Sequence, residues 1–597
     1  MDMALPLIGN LQTTDATSFA YIYEENVTIS LREGRGIVRC NVYRPKGESA
    51  TKWPVLVTYG PYGKDIHYSV FHASSFAEVP EEHHSPHSAW ETPDPGYWTN
   101  QGYALVRADE VGLGQSPGVL NTMSRDTSLA FSDVIEWAAE QTWSSGKVGL
   151  LGISYYAGSQ WRVAARKPKG LACIIPWEGM SDYYRDRCRH GGILSNTFID
   201  FWWNRQVIVN QYGRPGRAKR GWGPDTIEGK LSEELLLANC HDQNVENAQN
   251  HFLDDDYYAS RDYNLADIDV PLLSVGNWGG ILLHLRGNIE GFINSSSRQK
   301  YLRVITGRHD LPFYSPENVA LQKSFLDAFL KDVDPEGWAS GQPAKVGYKV
   351  RVGDVGYNDA SAEDAYPMHL HEDWPVPGTQ YVKYHLTANR ELLESVRSKS
   401  HESTSIKYDA LGSLKSPQFV QFTSQPFSSK QEFTGHVVAH LNVSLEVPAT
   451  VDGPSDIDLF VTLRHSDPRG KEILYTGTVG DPVPITKGWL RCSLRAVKTT
   501  SPKHTFWHPH REYCSGDYAP LVAGKVYEVD VEIWPTNVVM QPGDRLILEV
   551  SSGDTQGAGL FEHNSTVDRD ETTFAGINHI HFGPSTENWL LMPLIPA

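Results

Sequence analysis

A chain of 597 residues is too long for one ordinary hydrophobic core, and at roughly one domain per ~150 residues it should divide into two to four units. Hydrophobic residues make up 40% and charged residues 21%, the balance of a soluble globular protein with ample material for a core. With 72 acidic against 53 basic residues the formal charge is −19, which speaks against nucleic acid or an anionic membrane as a partner.

The N-terminus, Met1 to Pro6, lacks a basic region followed by an apolar stretch, and no apolar run of about 18 residues occurs, so a cytoplasmic protein is expected. Cys40, Cys173, Cys188, Cys240, Cys492 and Cys514 are scattered without a Cys-x-x-Cys pair, which points to free thiols rather than a zinc ribbon or a disulfide framework. From Val27 to Tyr43 apolar and polar residues alternate across Glu33-Gly34-Arg35-Gly36, which predicts a hairpin. Short apolar runs follow at Trp53 to Tyr59, Tyr103 to Ala108, Val148 to Leu151, Ala172 to Pro176, Leu272 to Val275 and Tyr301 to Thr306. Helical stretches such as Ser128 to Gln141 separate several of them, so a mostly parallel α/β sheet is predicted, with functional groups at the carboxyl ends of its strands.

Between Ser181 and Leu265 the strand rhythm stops and aromatic and helix-favouring residues take over, as expected of a helical cap over the strand tips. After about Gly341 segments such as His436 to Val447, Asp456 to His465, Val526 to Trp534 and Arg545 to Ser551 alternate apolar with polar residues between Pro and Gly turns. They predict an antiparallel sandwich.

Gly152-Ile153-Ser154-Tyr155-Tyr156-Ala157-Gly158 follows one of the apolar runs and leads into Gln160 to Ala165, which can start a helix. A short buried strand, a sharp turn bearing one serine among small residues, and a helix make a nucleophile elbow. Ser154 is therefore the candidate nucleophile, in the form Gly-x-Ser-x-x-x-Gly because Tyr156 takes the place of the usual second glycine. A serine hydroxyl needs a base, a group that orients the base, and donors for the oxyanion. Of 23 histidines, His309 directly follows the last predicted sheet strand, where hydrolases of this architecture carry their base.

Phrases around the elbow carry a resemblance. They are Gly102 to Asp109, Gly114-Gln115-Ser116-Pro117-Gly118, Asp133-Val134-Ile135-Glu136-Trp137 and Gln141 to Gly149 ahead of the serine, Gln160-Trp161 after it, and Asp456-Ile457-Asp458-Leu459-Phe460 far downstream. Over nearly its whole length the chain resembles the CocE/NonD hydrolases, a group similar to cocaine esterase, X-Pro dipeptidyl-peptidases and α-amino-acid ester hydrolases. The resemblance implies an α/β-hydrolase domain with a helical cap insertion and a C-terminal all-β jelly roll. On the pattern above these fall at 1–180 and 266–340 for the hydrolase domain, 181–265 for the cap and 341–597 for the jelly roll. It also implies that Tyr62, in Gly60-Pro61-Tyr62-Gly63-Lys64, lends its hydroxyl to the oxyanion hole beside the backbone N–H of Tyr155, a sensible role for a neutral phenol donor.

The chain departs from the family at the acid. Relatives end a Gly-Trp-Tyr-Asp phrase with it, whereas Gly276-Asn277-Trp278-Gly279-Gly280 holds no carboxylate. A substitute from the end of the preceding strand is Glu178, which keeps the order nucleophile, acid, histidine. Asp182 and Glu290 are alternatives, as are a Ser-His dyad and an inactive site, although Asp182 with Arg185 also suits capping and bracing of the cap.

His83, His84 and His87 lie in a Pro/Ser/Glu-rich loop without a second ligand cluster, so no metal is implied, and the absence of a dinucleotide or phosphate-loop motif implies no cofactor. Trp177, Trp202, Trp203 and Trp278 are candidates to line an apolar acyl or aryl pocket. The expected activity is hydrolysis of a small-molecule ester or amide. Acyl transfer, lactone or C–C bond cleavage by the same residues, and non-catalytic binding of a small molecule or carbohydrate, are the alternatives. The pattern leaves self-association into a homo-oligomer open.

Overall fold

The apolar runs of the first half assemble into one eleven-stranded mixed sheet in a computed structural model that describes residues 9–48, 50–223, 225–226, 231–395, 402–447 and 453–596. Its strands are β1 (Thr13–Asp15), β2 (Tyr21–Ser30), β3 (Ile37–Pro45), β4 (Trp53–Gly60), β5 (Ala104–Asp109), β6 (Ser144–Ile153), β7 (Leu171–Trp177), β8 (Leu272–Asn277), β9 (Lys300–Ile305), β10 (Val346–Lys349) and β11 (Met368–His371). They lie in the order β1-β2-β3-β5-β4-β6-β7-β8-β9-β10-β11. From β5 to β10 all neighbours run parallel, while the first three strands and β11 pair antiparallel.

Helices cover both faces, as a parallel sheet requires. Helix α1 (Arg125–Glu140) starts at Ser124, whose hydroxyl accepts from the Thr127 N–H at 3.3 Å, and buries Ala130, Phe131, Val134, Ile135 and Ala138 on one stripe. Helix α2 (Tyr155–Ala164) leaves the tip of β6, α3 (Leu285–Asn294) follows β8, and α4 (Pro316–Leu330) follows β9. Gly149 in β6 lets α4 come close, since a Cβ there would stand 2.8 Å from the Leu330 side chain.

The segment between β7 and β8 folds as a cap of short helices, Thr197–Trp202, Glu233–Ala238, Gln243–Gln249 and Asp256–Ala259, with two π-helical turns, Tyr183–Cys188 and Trp203–Val207. The sheet also runs past residue 341, since β10 and β11 extend the hydrolase sheet and the strands of the second unit begin at Gln380. Alternation identifies β10 and β11 as strands but does not say which sheet they join.

In the second unit Gln431–Glu446 is the spine. It pairs antiparallel with Tyr527–Met540, Ile577–Phe582 and Trp589–Ile595, and the last of these also pairs with Gln380–Leu386, so the twelve strands close into an all-β, barrel-like body. Buried ion pairs join this body to the rest: Arg189 to Asp568 at 2.6 Å and Arg286 to Glu532 at 2.7 Å. Asp458 of the Asp456 to Phe460 phrase holds Arg491, which in turn holds Asp568, each at 2.9 Å. No helix among the described residues is long and apolar enough to cross a membrane.

Candidate active site

Ser154 stands at the junction of β6 and α2 with φ 59° and ψ −113°, a conformation that a non-glycine residue adopts only where its surroundings force it. Its N–H is shared between the carbonyls of Trp177 and Glu178, both at 3.1 Å, which fixes the turn against the tip of β7. Tyr156, in the usual glycine place, fits because Gly60 and Gly152 make room. A Cβ on Gly60 would stand 2.6 Å from the Tyr156 ring, and one on Gly152 2.7 Å from its Cβ.

Glu178 begins directly after β7, also at positive φ, with its N–H on the Val275 carbonyl at 2.7 Å. Its fully buried carboxylate meets the two parts of the chain that follow. Oε2 lies 2.9 Å from Nδ1 of His309, and Oε1 accepts from Asn277 Nδ2 at 3.1 Å. Asn277 belongs to the phrase without a carboxylate, and here its side chain braces Glu178. The other ring nitrogen of His309, Nε2, lies 3.2 Å from Oε1 of Glu91. Burial alone would push the His309 pKa down, but Glu178 and then Glu91 outweigh it and raise the pKa to about 10. Burial pushes both carboxyls up, and the imidazolium opposes this. The His309 N–H donates to the Thr478 carbonyl at 3.0 Å, so the all-β unit also holds this loop.

The hydroxyl of Ser154 is hydrogen-bonded not to His309 but to Nε2 of His284, at 3.2 Å. His284 precedes α3, and its ring stacks on that of His309 with centroids 5.0 Å apart and planes 10° from parallel. Nδ1 of His284 accepts from the Met180 backbone N–H at 3.1 Å. A backbone N–H can only donate, so that nitrogen carries no proton, and the neutral ring must carry its proton on Nε2. Burial, then His309 and Arg187, hold the His284 pKa well below the ordinary range, so the ring is neutral and donates to Ser154. The direct contact between Ser154 and His309 expected from the sequence is thus absent from this geometry: Glu91 occupies the nitrogen of His309 that would face the serine, and His284 occupies the hydroxyl.

Tyr62 follows β4 and is buried. Its hydroxyl accepts from the Trp202 indole N–H at 2.9 Å, and burial, then Glu91, raise its pKa well above that of a free phenol, so it is a neutral group with a proton to give. Tyr155 opens α2, where backbone N–H groups have no partner within the helix, and its ring stacks on Trp202 at 5.7 Å. Of the four tryptophans considered for a pocket, Trp202 therefore stands at the site. Trp177 packs edge-on against Phe313, and Trp278 packs against Tyr348 and Trp374 with its indole N–H on the Lys349 carbonyl, both in core positions; Trp203 is buried.

The alternative acids lie elsewhere. Asp182 accepts from the Arg185 N–H at 2.8 Å and pairs with its guanidinium at 2.5 Å, and Glu290 faces His508 of the all-β unit at 3.6 Å. Among the three loop histidines, His87 packs against Tyr21, Tyr23 and Tyr43, His83 against Tyr97, and His84 against Phe76. Among the described residues no three His, Cys, Asp or Glu side chains gather as a metal site. Sequence reasoning missed His284, which looks like core in Leu282-Leu283-His284-Leu285, and Glu91, which sits in the loop next to the three histidines. The polar residue inside an apolar run was the available signal for His284.

Two family models match successive parts of the chain: X-Pro dipeptidyl-peptidase (S15 family) over residues 37–310, and the X-Pro dipeptidyl-peptidase C-terminal non-catalytic domain over residues 347–591. The cocaine esterase of Rhodococcus sp. (strain MB1 Bresler) is 23% identical over 630 aligned residues, covering 96% of this chain and 99% of that protein. The crystal structure of a CocE/NonD family hydrolase from Staphylococcus aureus superposes with a TM-score of 0.79 at 27% identity, over 96% of this chain and 94% of its own. An α-amino acid ester hydrolase aligns over the full length of both chains at 15% identity with a TM-score of 0.66, a likeness of fold alone.

Proposed function

We propose that this chain, which matches the X-Pro dipeptidyl-peptidase (S15 family) model over residues 37–310 and the C-terminal domain model of the same peptidases over residues 347–591, cleaves a carboxylic ester, or an amide, of a small to medium-sized apolar or aromatic molecule through an acyl-enzyme on Ser154. In this reading Ser154 Oγ attacks the carbonyl carbon while Nε2 of His309 takes the hydroxyl proton and then delivers it to the leaving group. Glu178 holds the imidazole by Nδ1 and balances the charge that forms on it. The Tyr62 hydroxyl and the Tyr155 N–H donate to the oxyanion; Trp202 satisfies the phenol oxygen as an acceptor, which leaves the phenol proton to point elsewhere. Water, activated by the same imidazole, then opens the acyl-enzyme.

For this to happen His309 must exchange Glu91 for Ser154, and Ser154 must give up His284. Both exchanges are local, since the two imidazoles are already stacked. The observation that carries the reading is the 2.9 Å pair of Glu178 and His309 beside a serine held at positive φ. Steady-state hydrolysis of a 4-nitrophenyl ester tests it. Ser154→Ala is expected to lower kcat by about 10⁶-fold and Glu178→Gln by about 10⁴-fold, as losses of a nucleophile and of the group orienting its base do. Near-wild-type turnover in Glu178→Gln would remove that residue from the role.

A further inference from the structure

Arg187 is a buried cation without an anion. It lies in the π-helical turn Tyr183–Cys188 and is 3% exposed. Its Nη1 donates to the Tyr183 hydroxyl at 3.3 Å and to Gln243 Oε1 at 3.2 Å and approaches the Cys188 sulfur at 3.8 Å, while Nη2 has no partner. Among the described residues no carboxylate pairs with it. Taking a guanidinium out of water without a counter-charge is costly, and most buried arginines avoid that cost with a carboxylate.

The position of this cation ties it to the site. Its guanidinium lies over the ring of Trp202 at 4.5 Å, and the same indole donates to Tyr62 and stacks on Tyr155. One ring therefore separates Arg187 from the donors proposed for the oxyanion. Its surroundings are electropositive as well, in a protein of formal charge −19. Arg162, Arg187 and Arg261 surround the ring of Tyr183 at 5.7, 5.3 and 5.3 Å. Two carboxyls face this group, Glu110 toward Arg261 and Asp262 toward Arg162, and burial pushes both up, Glu110 to about 8. π-Helical turns are rare and gather at functional sites, and Arg187 stands in one while another follows Trp202 directly.

We infer that Arg187 is a specificity-determining residue that takes a carboxylate carried by the substrate, so that the preferred ester or amide is a monoanion whose charge lies on the cap side of the scissile carbonyl. The planar fork with a free Nη2 suits a carboxylate better than a neutral carbonyl. This rests on the proposed reaction at Ser154, and two measurements keep the claims apart.

The first compares kcat/KM for mono-(4-nitrophenyl) glutarate and the neutral 4-nitrophenyl valerate. The expected preference for the anion is about 10- to 100-fold, the worth of one charge-assisted hydrogen bond. It should vanish in Arg187→Met and persist in part in Arg187→Lys. Equal rates for both esters in the wild type, or an equal loss on both in Arg187→Met, overturns the inference. The second is calorimetric binding of phenylacetate against phenylacetamide to the full chain carrying Ser154→Ala, where no chemistry is needed. Tighter phenylacetate binding, lost on adding Arg187→Met, supports Arg187 even if hydrolysis were to survive Ser154→Ala and so sink the proposed reaction. Indifference to the carboxylate overturns it even if hydrolysis depends on Ser154.

Discussion

Glu178 and, after it, Glu91 hold His309 in its resting protonation state. Facing Glu178 on one nitrogen and Glu91 on the other, with Asp310 adjacent in sequence and neutral His284 stacked on its face, the imidazole is held as a cation whose pKa is raised to about 10. A general base must be unprotonated, so kcat/KM should climb as pH rises from neutrality toward that value. Glu91→Gln removes one of the two charges that hold the proton. Its acid limb is expected about one to three pH units lower, with activity at pH 7 increased, in a pH profile of kcat/KM. An unmoved limb would mean that Glu91 does not control the base. At Tyr62 the expected loss is in the transition state. Tyr62→Phe should lower kcat about 10²- to 10³-fold with KM little changed, the usual effect of removing one oxyanion donor, and an unchanged kcat would exclude the hydroxyl from that role. Ser154 and Glu178 are legible in sequence because each directly follows a recognisable strand. Glu91 and His284 are not, because their partners lie 218 and 130 residues away and nothing local announces the meeting.

The elements that carry these residues are loops at strand tips, braced from the side that does not face the sheet. The turn after β8 is the clearest case. A Cβ at Gly279 would stand 1.9 Å from the Thr476 carbonyl oxygen, and Thr478, two residues on, binds the His309 N–H. Gly279→Ala should therefore push the all-β unit off the strand tips, costing about 1–3 kcal/mol as overpacking does, and should slow turnover at the same time. Thermal unfolding and kcat measured on one preparation test the coupling, and a normal Tm with normal kcat would show that the contact does not hold the loop. The parallel strands β4 to β9 are legible because each is a short apolar run between turns. β10 and β11 show the limit of such reading, since their alternation identifies strands without assigning them to a sheet. The cap is legible only as an interruption, and its π-helical turns leave no mark in the apolar pattern.

At the scale of the whole molecule the two units are locked by buried charge. Asp568 accepts from Arg189 at 2.6 Å, from Arg491 at 2.9 Å and from the Leu194 N–H at 3.0 Å, and despite the opposing effect of burial these hold its pKa far below the ordinary aspartate range. A depressed folded-state pKa gives stability that is complete above the unfolded value of about 3.9 and is lost as pH falls through the folded value. Asp568→Asn is expected to cost about 3–5 kcal/mol at neutral pH, because two guanidinium groups lose their partner, and to flatten the loss of stability on acidification. Urea midpoints measured across pH decide this, and an unchanged midpoint would show that the network does not join the units.

Mass-spectrometric mapping of a fluorophosphonate adduct, with its labelling rate, shows whether Ser154 is an activated nucleophile held by the Glu178–His309 pair. One adduct per chain is expected, on the peptide that contains Ser154, formed orders of magnitude more slowly in Glu178→Gln. No adduct on that peptide, or a rate indifferent to Glu178→Gln, would contradict it.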